Sequence, residues 1–115
     1  MSPRQRQAFA RELGLGRSEL RAGAFESARH HLERAHVLGQ REVVPHVHAH
    51  LLLLELELRQ HQPRAALGQV VRIALGALGS ALGRVPTGNT GGSDVSMFRL
   101  MPIPADLLEQ MDPTP

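Results

Sequence analysis

Apolar residues recur at helical spacing through most of the chain. Phe9, Leu13 and Leu20 stand at i, i+4 and i+11 with Arg and Glu between them, and predict a first helix over about residues 3–22. Ser2 and Pro3 supply its start, a capping hydroxyl followed by Pro at the first helical position. Gly14 and Gly16 weaken its middle, and Ala22-Gly23-Ala24 reads as a turn. Phe25, Ala28, Leu32 and Ala35 form the stripe of a second helix over about residues 25–38, with Gly39 placed as its C-terminal cap. Val43-Val44-Pro45 leads into a third helix running to about residue 61, and Pro63 marks its end. Leucines at 51–54, 56 and 58 go nearly all the way round this helix, which sets it at the centre of a bundle or beneath a partner chain. Val47, Leu51, Leu54 and Leu58 are expected to form its core stripe, with Leu52 and Leu56 pointing away from it. A fourth helix, about residues 64–82, carries Gly68, Gly76 and Gly79 and ends at Gly83; these glycines permit close helix contact.

From Gly83 the texture changes to Gly- and Pro-rich. The chain therefore divides into a helical bundle over 1–82 and a tail over 83–115 packed upon it, with a short helix near 106–111. Met97, Phe98, Leu100 and Met101 are the expected anchors of the tail, and the last few residues are expected to be disordered. The Gly-rich loop at 88–93 lacks the Gly-Lys-Ser/Thr ending of a phosphate loop and reads as a turn positioning Asp94 and Ser96. The fold class is all-α: a compact four-helix bundle. Residues 22–40 resemble a single tetratricopeptide-like helical hairpin, but a solenoid groove needs three or more such units.

Composition narrows the function. A chain of 115 residues suits one domain. Aromatics are 3% with no Trp or Tyr, so the core is Leu, Ala and Val, and no platform exists for stacking nucleic-acid bases. Thirteen arginines are interspersed with 11 acids for a net charge of +2, the pattern of a mixed solvated surface, so a nucleic-acid partner is not expected. The absence of cysteine excludes disulfides and thiolate metal sites. The N-terminus has no apolar secretion signal, and cytoplasmic residence is expected. The fourth helix is nearly long enough to span a bilayer, but Gln69 and Arg72 lie within it, so it is assigned to the bundle and not to a membrane.

The chemistry is concentrated in residues 30–50, which hold His30, His31, His36, His46, His48 and His50 of the seven histidines. Projected at about 100° per residue from Leu32, His36 falls about 40° from the core direction, with Glu33 further round on that side and His31 on the opposite flank. His46 and His50 share a face of the third helix that continues through Glu57 to His61. Two helices joined by a short connection pack antiparallel, which brings His36 level with His46 and His50. His31 reaches that level only if a third helix or another chain meets its flank. Glu33-x-x-His36 has the spacing of carboxylate-bridged metal bundles. The candidate metal ligands are therefore His31, Glu33, His36, His46 and His50. A sulfur-free set suits Zn, Ni, Cu(II) or Fe(II). Binding by neutral imidazoles should weaken below their ordinary pKa of about 6.5.

The run from His31 to Arg41, then His46 and His50, then Val85-Pro-Thr-Gly-Asn-Thr-Gly-Gly92 and Met101-Pro-Ile-Pro104, resembles the DUF3703 family of small bacterial proteins of unknown function. The resemblance covers nearly the whole chain. It implies a small helical bacterial protein and supplies no established activity; His31, Glu33, His36, His46 and His50 match its polar motif positions. Two function classes follow. The first is a cytosolic protein that binds a divalent transition metal for buffering, transfer or resistance. The second is a helical protein–protein interaction module whose histidines are incidental. A redox or hydrolytic metalloenzyme ranks third, because no second carboxylate motif accompanies Glu33-x-x-His36. Leu52 and Leu56, taken as outward-facing, lead to the expectation of a homodimer.

Overall fold

The computed structural model describes residues 1–113. It contains α1 (Pro3–Arg21), α2 (Phe25–Gly39), α3 (Val43–Arg59), α4 (Pro63–Leu82) and the single turn α5 (Ala105–Leu108), with no strand among the described residues. The boundaries follow local chemistry. Ser2 is extended and its hydroxyl accepts the Gln5 N–H at 3.1 Å, with Pro3 opening α1. Gly83 ends α4 in the left-handed region at φ 72°, a conformation that costs a glycine nothing.

Each helix packs chiefly on its sequence neighbour, α1 on α2, α2 on α3 and α3 on α4, so α4 stands at one edge. The apolar core lies among α1, α2 and α3 and includes Phe9, Leu13, Leu20, Ala28, Leu32, Leu38, Leu53 and Leu56. The expected stripes of α1 and α2 are the ones that pack. The phase of α3 differs from expectation. Its buried residues are His46, Ala49, His50, Leu53, Leu56 and Glu57, whereas Leu51 and Leu58 are 49% and 57% exposed. Leu56 is core, and Leu52 packs at the core margin. A run of leucines looks the same in every phase. Here the phase is marked by the polar residues, because α3 is held between α2 and α4 along the line of His46, His50 and Glu57.

Two glycines allow close approach. A Cβ on Gly16 would lie 2.5 Å from Leu32 Cδ2, so this glycine lets α1 and α2 meet. Gly39 is the last residue of α2 and not its cap, which is Gln40; a Cβ there would meet Phe9 and Pro45 at 2.8 Å.

The tail from Gly83 lies over the helices, held differently from expectation. Phe98 and Leu100 are 74% and 71% exposed, while Leu107 is buried in the core with Ile103 and Met111 against it. Polar contacts complete the attachment. Gln40 donates to the Pro86 carbonyl at 3.0 Å and accepts the Gly88 N–H at 2.9 Å, and Arg34 pairs with Asp106. At its end Asp112 accepts the Ser2 N–H at 2.7 Å. The disorder expected at the extreme terminus concerns Thr114 and Pro115, which lie outside the described residues.

Among the described residues, α4 is the one helix long and apolar enough to cross a membrane by length and composition. Its polar residues Gln69 and Ser80 are buried toward α3, and its outer face exposes Leu67, Val70, Val71, Leu75, Leu78 and Leu82.

The two glycines of α1 provide a test of this packing. Gly14 is exposed with open space around its Cβ position. Gly14→Ala should stabilise the fold by about 0.5–1 kcal/mol through helix propensity. Gly16→Ala should destabilise it by about 1–3 kcal/mol through overpacking against Leu32. Urea denaturation compares the two, and equal gains would contradict the close α1–α2 contact.

Candidate metal centre

Three imidazoles meet in the interior. His36 comes from the last turn of α2, and His46 and His50 from the first two turns of α3. They are 2%, 4% and 3% exposed. Their Nε2 atoms lie 3.0 Å (His36–His46), 3.0 Å (His36–His50) and 3.1 Å (His46–His50) apart. Gly76 of α4 makes room for the His46 ring, where a Cβ would lie 2.9 Å from Cε1. Gly91, at φ +77°, lies against His36 in the same way, with only 2.5 Å between a Cβ and Cδ2.

The opposite nitrogen of each ring decides its tautomer. His36 Nδ1 is 2.7 Å from the Asn89 carbonyl oxygen, which only accepts, so Nδ1 carries the proton. His50 Nδ1 is 2.9 Å from Gln69 Oε1, and the Gln69 amide is oriented by its own donation to the Gly91 carbonyl at 3.1 Å. His46 Nδ1 is 2.5 Å from Ser80 Oγ. The single Ser80 proton is committed to the Gln40 carbonyl at 2.6 Å, so Oγ accepts from His46. All three neutral rings are therefore Nδ1–H tautomers. Their Nε2 lone pairs face one another with no proton between them.

Among the described residues every buried side-chain nitrogen and oxygen has a neighbour at hydrogen-bond distance. For these three nitrogens the neighbours are each other, and acceptors cannot satisfy acceptors. A buried acceptor without a donor costs about 1–3 kcal/mol. A cation at the meeting point removes that cost for all three at once. Nitrogens about 2.0–2.1 Å from one metal, at angles between octahedral and tetrahedral, are themselves about 2.8–3.4 Å apart. The observed spacings fall within that span, and the three form the metal-ligand grouping found among the described residues.

The proton is a poor candidate for that cation. Burial, then the charges His50 and His46 would carry, holds His36 well below the ordinary imidazole range. Burial and His50 bring His46 down to about 4, and burial lowers His50. The acceptors that fix the tautomers also orient the rings, as partners of metal-binding histidines do.

The structure brings together three of the five residues expected to share a site. His31 lies outside it: its Nδ1 is 2.7 Å from Glu12 of α1, which also accepts from Arg34 at 3.0 Å. Glu33 also stands apart, in a neighbouring polar group. A Cβ on Gly92 would lie 2.8 Å from its Oε1 and 2.6 Å from Asp94 Oδ1. Burial and Asp94 raise Glu33 to about 7. Buried Glu57 accepts from Arg29 at 3.3 Å and from Ser93 at 2.9 Å. Of the remaining histidines, His48 is 2.8 Å from an Arg17 nitrogen, while His30 and His61 are exposed.

Sequence reasoning missed Gln69, Ser80 and Asn89, which complete the site. Gln69 and Ser80 carried a signal, since polar residues in a helix as apolar as α4 call for a buried partner. Asn89 acts through its backbone carbonyl, which leaves no mark in sequence.

The fold and site define a small helical protein with a buried tri-histidine cluster capped by a glycine-rich loop. The chain belongs to the DUF3703 family, described as a protein of unknown function, whose model matches residues 3–111. No curated protein and no solved structure matches it.

Lowered histidine pKa values have a consequence for stability. Below the ordinary imidazole pKa of about 6.5 the unfolded chain takes up protons that the folded, metal-free chain refuses. Each lowered imidazole therefore contributes stability that is present above that pH and lost as pH falls, by about 1.4 kcal/mol per unit. For His46 the loss continues toward a pH of about 4. Glu33, raised to about 7, acts in the opposite sense and offsets part of it. Thermal melts of metal-free protein should show Tm falling from pH 7 to pH 5, and falling more steeply in Glu33→Gln. A flat Tm in both proteins would contradict the buried neutral imidazoles.

Proposed function

We propose that this protein binds one divalent transition metal through His36, His46 and His50, and serves metal buffering, transfer or resistance in the cytoplasm. The observation that carries the proposal is the convergence of three unprotonated Nε2 atoms at 3.0–3.1 Å. The all-nitrogen donor set suits Zn, Ni, Cu(II) or Fe(II). His31 is left out of the ligand set because its Nδ1 is held by Glu12, and Glu33 because it stands by Asp94 and Gly92, outside the grouping of the three imidazoles. The chain's own part is to hold the rings, fix their tautomers and exclude bulk water.

Elemental analysis of protein purified without a histidine tag should find near one metal per chain. His46→Ala should abolish tight binding, while His31→Gln should leave it unchanged. Gln69→Leu should weaken it by about 10–100-fold, the usual cost of losing a ligand's orienting partner. Because the three pKa values lie below the ordinary range, binding should persist to a lower pH than free imidazole allows. Metal-free protein with no measurable zinc affinity at pH 7.5 would support the interaction-module reading, with the cluster a structural feature.

A second observation bears on assembly. The outer face of α4 carries Leu67, Val71, Ala74, Leu78 and Ala81 at alternating steps of four and three, the seam spacing of paired helices, and all are exposed. Arg72, the one ionic residue between Leu67 and Ala81, is turned toward the tail, donating to the Gly92 and Val95 carbonyls at 2.9 and 2.7 Å. The seam is free of outward charge from Leu67 to Ala81, with Arg64 at its N-terminal margin. We place the homodimer contact here, and not at Leu52 and Leu56, which pack in or against the core. Light scattering should give twice the monomer mass. Val71→Glu with Leu78→Glu should give a monomer of unchanged helical content. A monomer from the unaltered chain, or its recovery on lipid vesicles, would overturn this placement.

A further inference from the structure

The triad does not close the site. Its rings form one wall of a cavity of about 90 Å3, room for a few water molecules. The other walls are apolar or cationic. Leu75, Val85, Pro86, Met97 and Phe98 surround the opening, and Arg72 and Arg84 are the charged residues in the lining. No carboxylate lines this cavity. Arg72 is fixed by its two backbone carbonyls, so its charge is held in place. Arg84 is exposed and forms no side-chain hydrogen bond or ion pair among the described residues.

The charge balance of a loaded site follows. Three neutral imidazoles leave a divalent ion's two charges intact, and two guanidiniums stand on the same cavity. Buried or half-buried charge without a counter-charge is costly. Asp94 and Glu57 act electrostatically on Arg72, and Glu33 stands with Asp94 at Gly92, but none of the three lines the cavity. Among the described residues no carboxylate joins the three imidazoles in the ligand grouping, so an anionic fourth ligand enters from outside, and the cavity limits it to a few atoms.

Resting on the metal reading above, we infer that this cavity is a binding site for a small inorganic anion. The anion occupies the coordination position that the triad leaves open, with Arg72 and Arg84 supplying charge and donors. Three protein nitrogens with one exchangeable position is the composition of an open metal site and not of a closed structural one. Anion and metal should each raise the other's affinity by the same factor, since binding free energies are reciprocal.

Cobalt(II) serves as the spectroscopic metal and azide as the probe anion, added to the full chain at constant ionic strength. Azide should change the visible cobalt spectrum saturably and increase cobalt affinity. Arg84→Met should weaken azide binding several-fold and should not weaken cobalt binding in anion-free buffer. A cobalt-loaded protein whose spectrum ignores excess azide would overturn the anion site while leaving metal binding intact, as expected if the Met97 thioether or another protein group fills the position. Equal azide affinity in the Arg84→Met and unaltered proteins would overturn the role given to the arginine rim. Failure to bind cobalt at all would overturn the metal reading itself and the anion site with it.

Discussion

The arrangement depends on three hydrogen bonds donated by His36, His46 and His50 from Nδ1. Each ends on an oxygen that has no alternative to accepting. The Asn89 acceptor is a main-chain carbonyl, the Gln69 oxygen is fixed by its amide's own bond to Gly91, and the Ser80 hydroxyl has already given its proton to Gln40. The protons are thereby drawn to the outer edge of the cluster, and three lone pairs are left facing inward. An apolar core of the same volume would pack without that conflict. The fold instead keeps three acceptors together, in an arrangement that could hold a metal ion.

The same bonds tie the parts of the chain to one another. Gln69 and Ser80 belong to α4, which rests on α3 at the edge of the bundle. Asn89 and Gly91 belong to the tail, and Gln40, just after α2, reaches both Ser80 and the Pro86–Gly88 turn. Gly76 and Gly91 let α4 and the loop approach the rings to a distance that any side chain would forbid. The apolar core among α1, α2 and α3 is separate from this junction. The leucines hold the first three helices, while the polar cluster and its acceptors attach α4 and the loop to them.

Much of this was legible in the residues. The stripes at Phe9, Leu13 and Leu20 and at Ala28, Leu32 and Ala35 placed two helices and their packed faces. Antiparallel packing across the short connection after α2 is enough to bring His36 to His46 and His50. The phase of α3 was not legible, because leucines from 51 to 58 offer every face an equal claim. The better guide was the polar residues, since His46, His50 and Glu57 lie on the buried line. His31 was misplaced because Glu12, two turns into α1, competes for its ring, and pairing across α1 and α2 leaves no periodic trace. Of the tail's expected anchors, Met97, Phe98, Leu100 and Met101, chosen by hydrophobicity alone, Phe98 and Leu100 are exposed. Their exposure reflects a loop held by backbone and amide bonds around Asn89, with its apolar attachment further on, at Leu107.

The protonation pattern of the cluster is read directly by nitrogen NMR on the metal-free protein with labelled histidine. At pH 7.5, three of the seven imidazoles should be neutral Nδ1–H tautomers, and their Nε2 resonances should shift together on addition of one equivalent of zinc. If those rings are Nε2–H tautomers, or if zinc leaves their Nε2 resonances unmoved, the lone pairs do not converge on a cation.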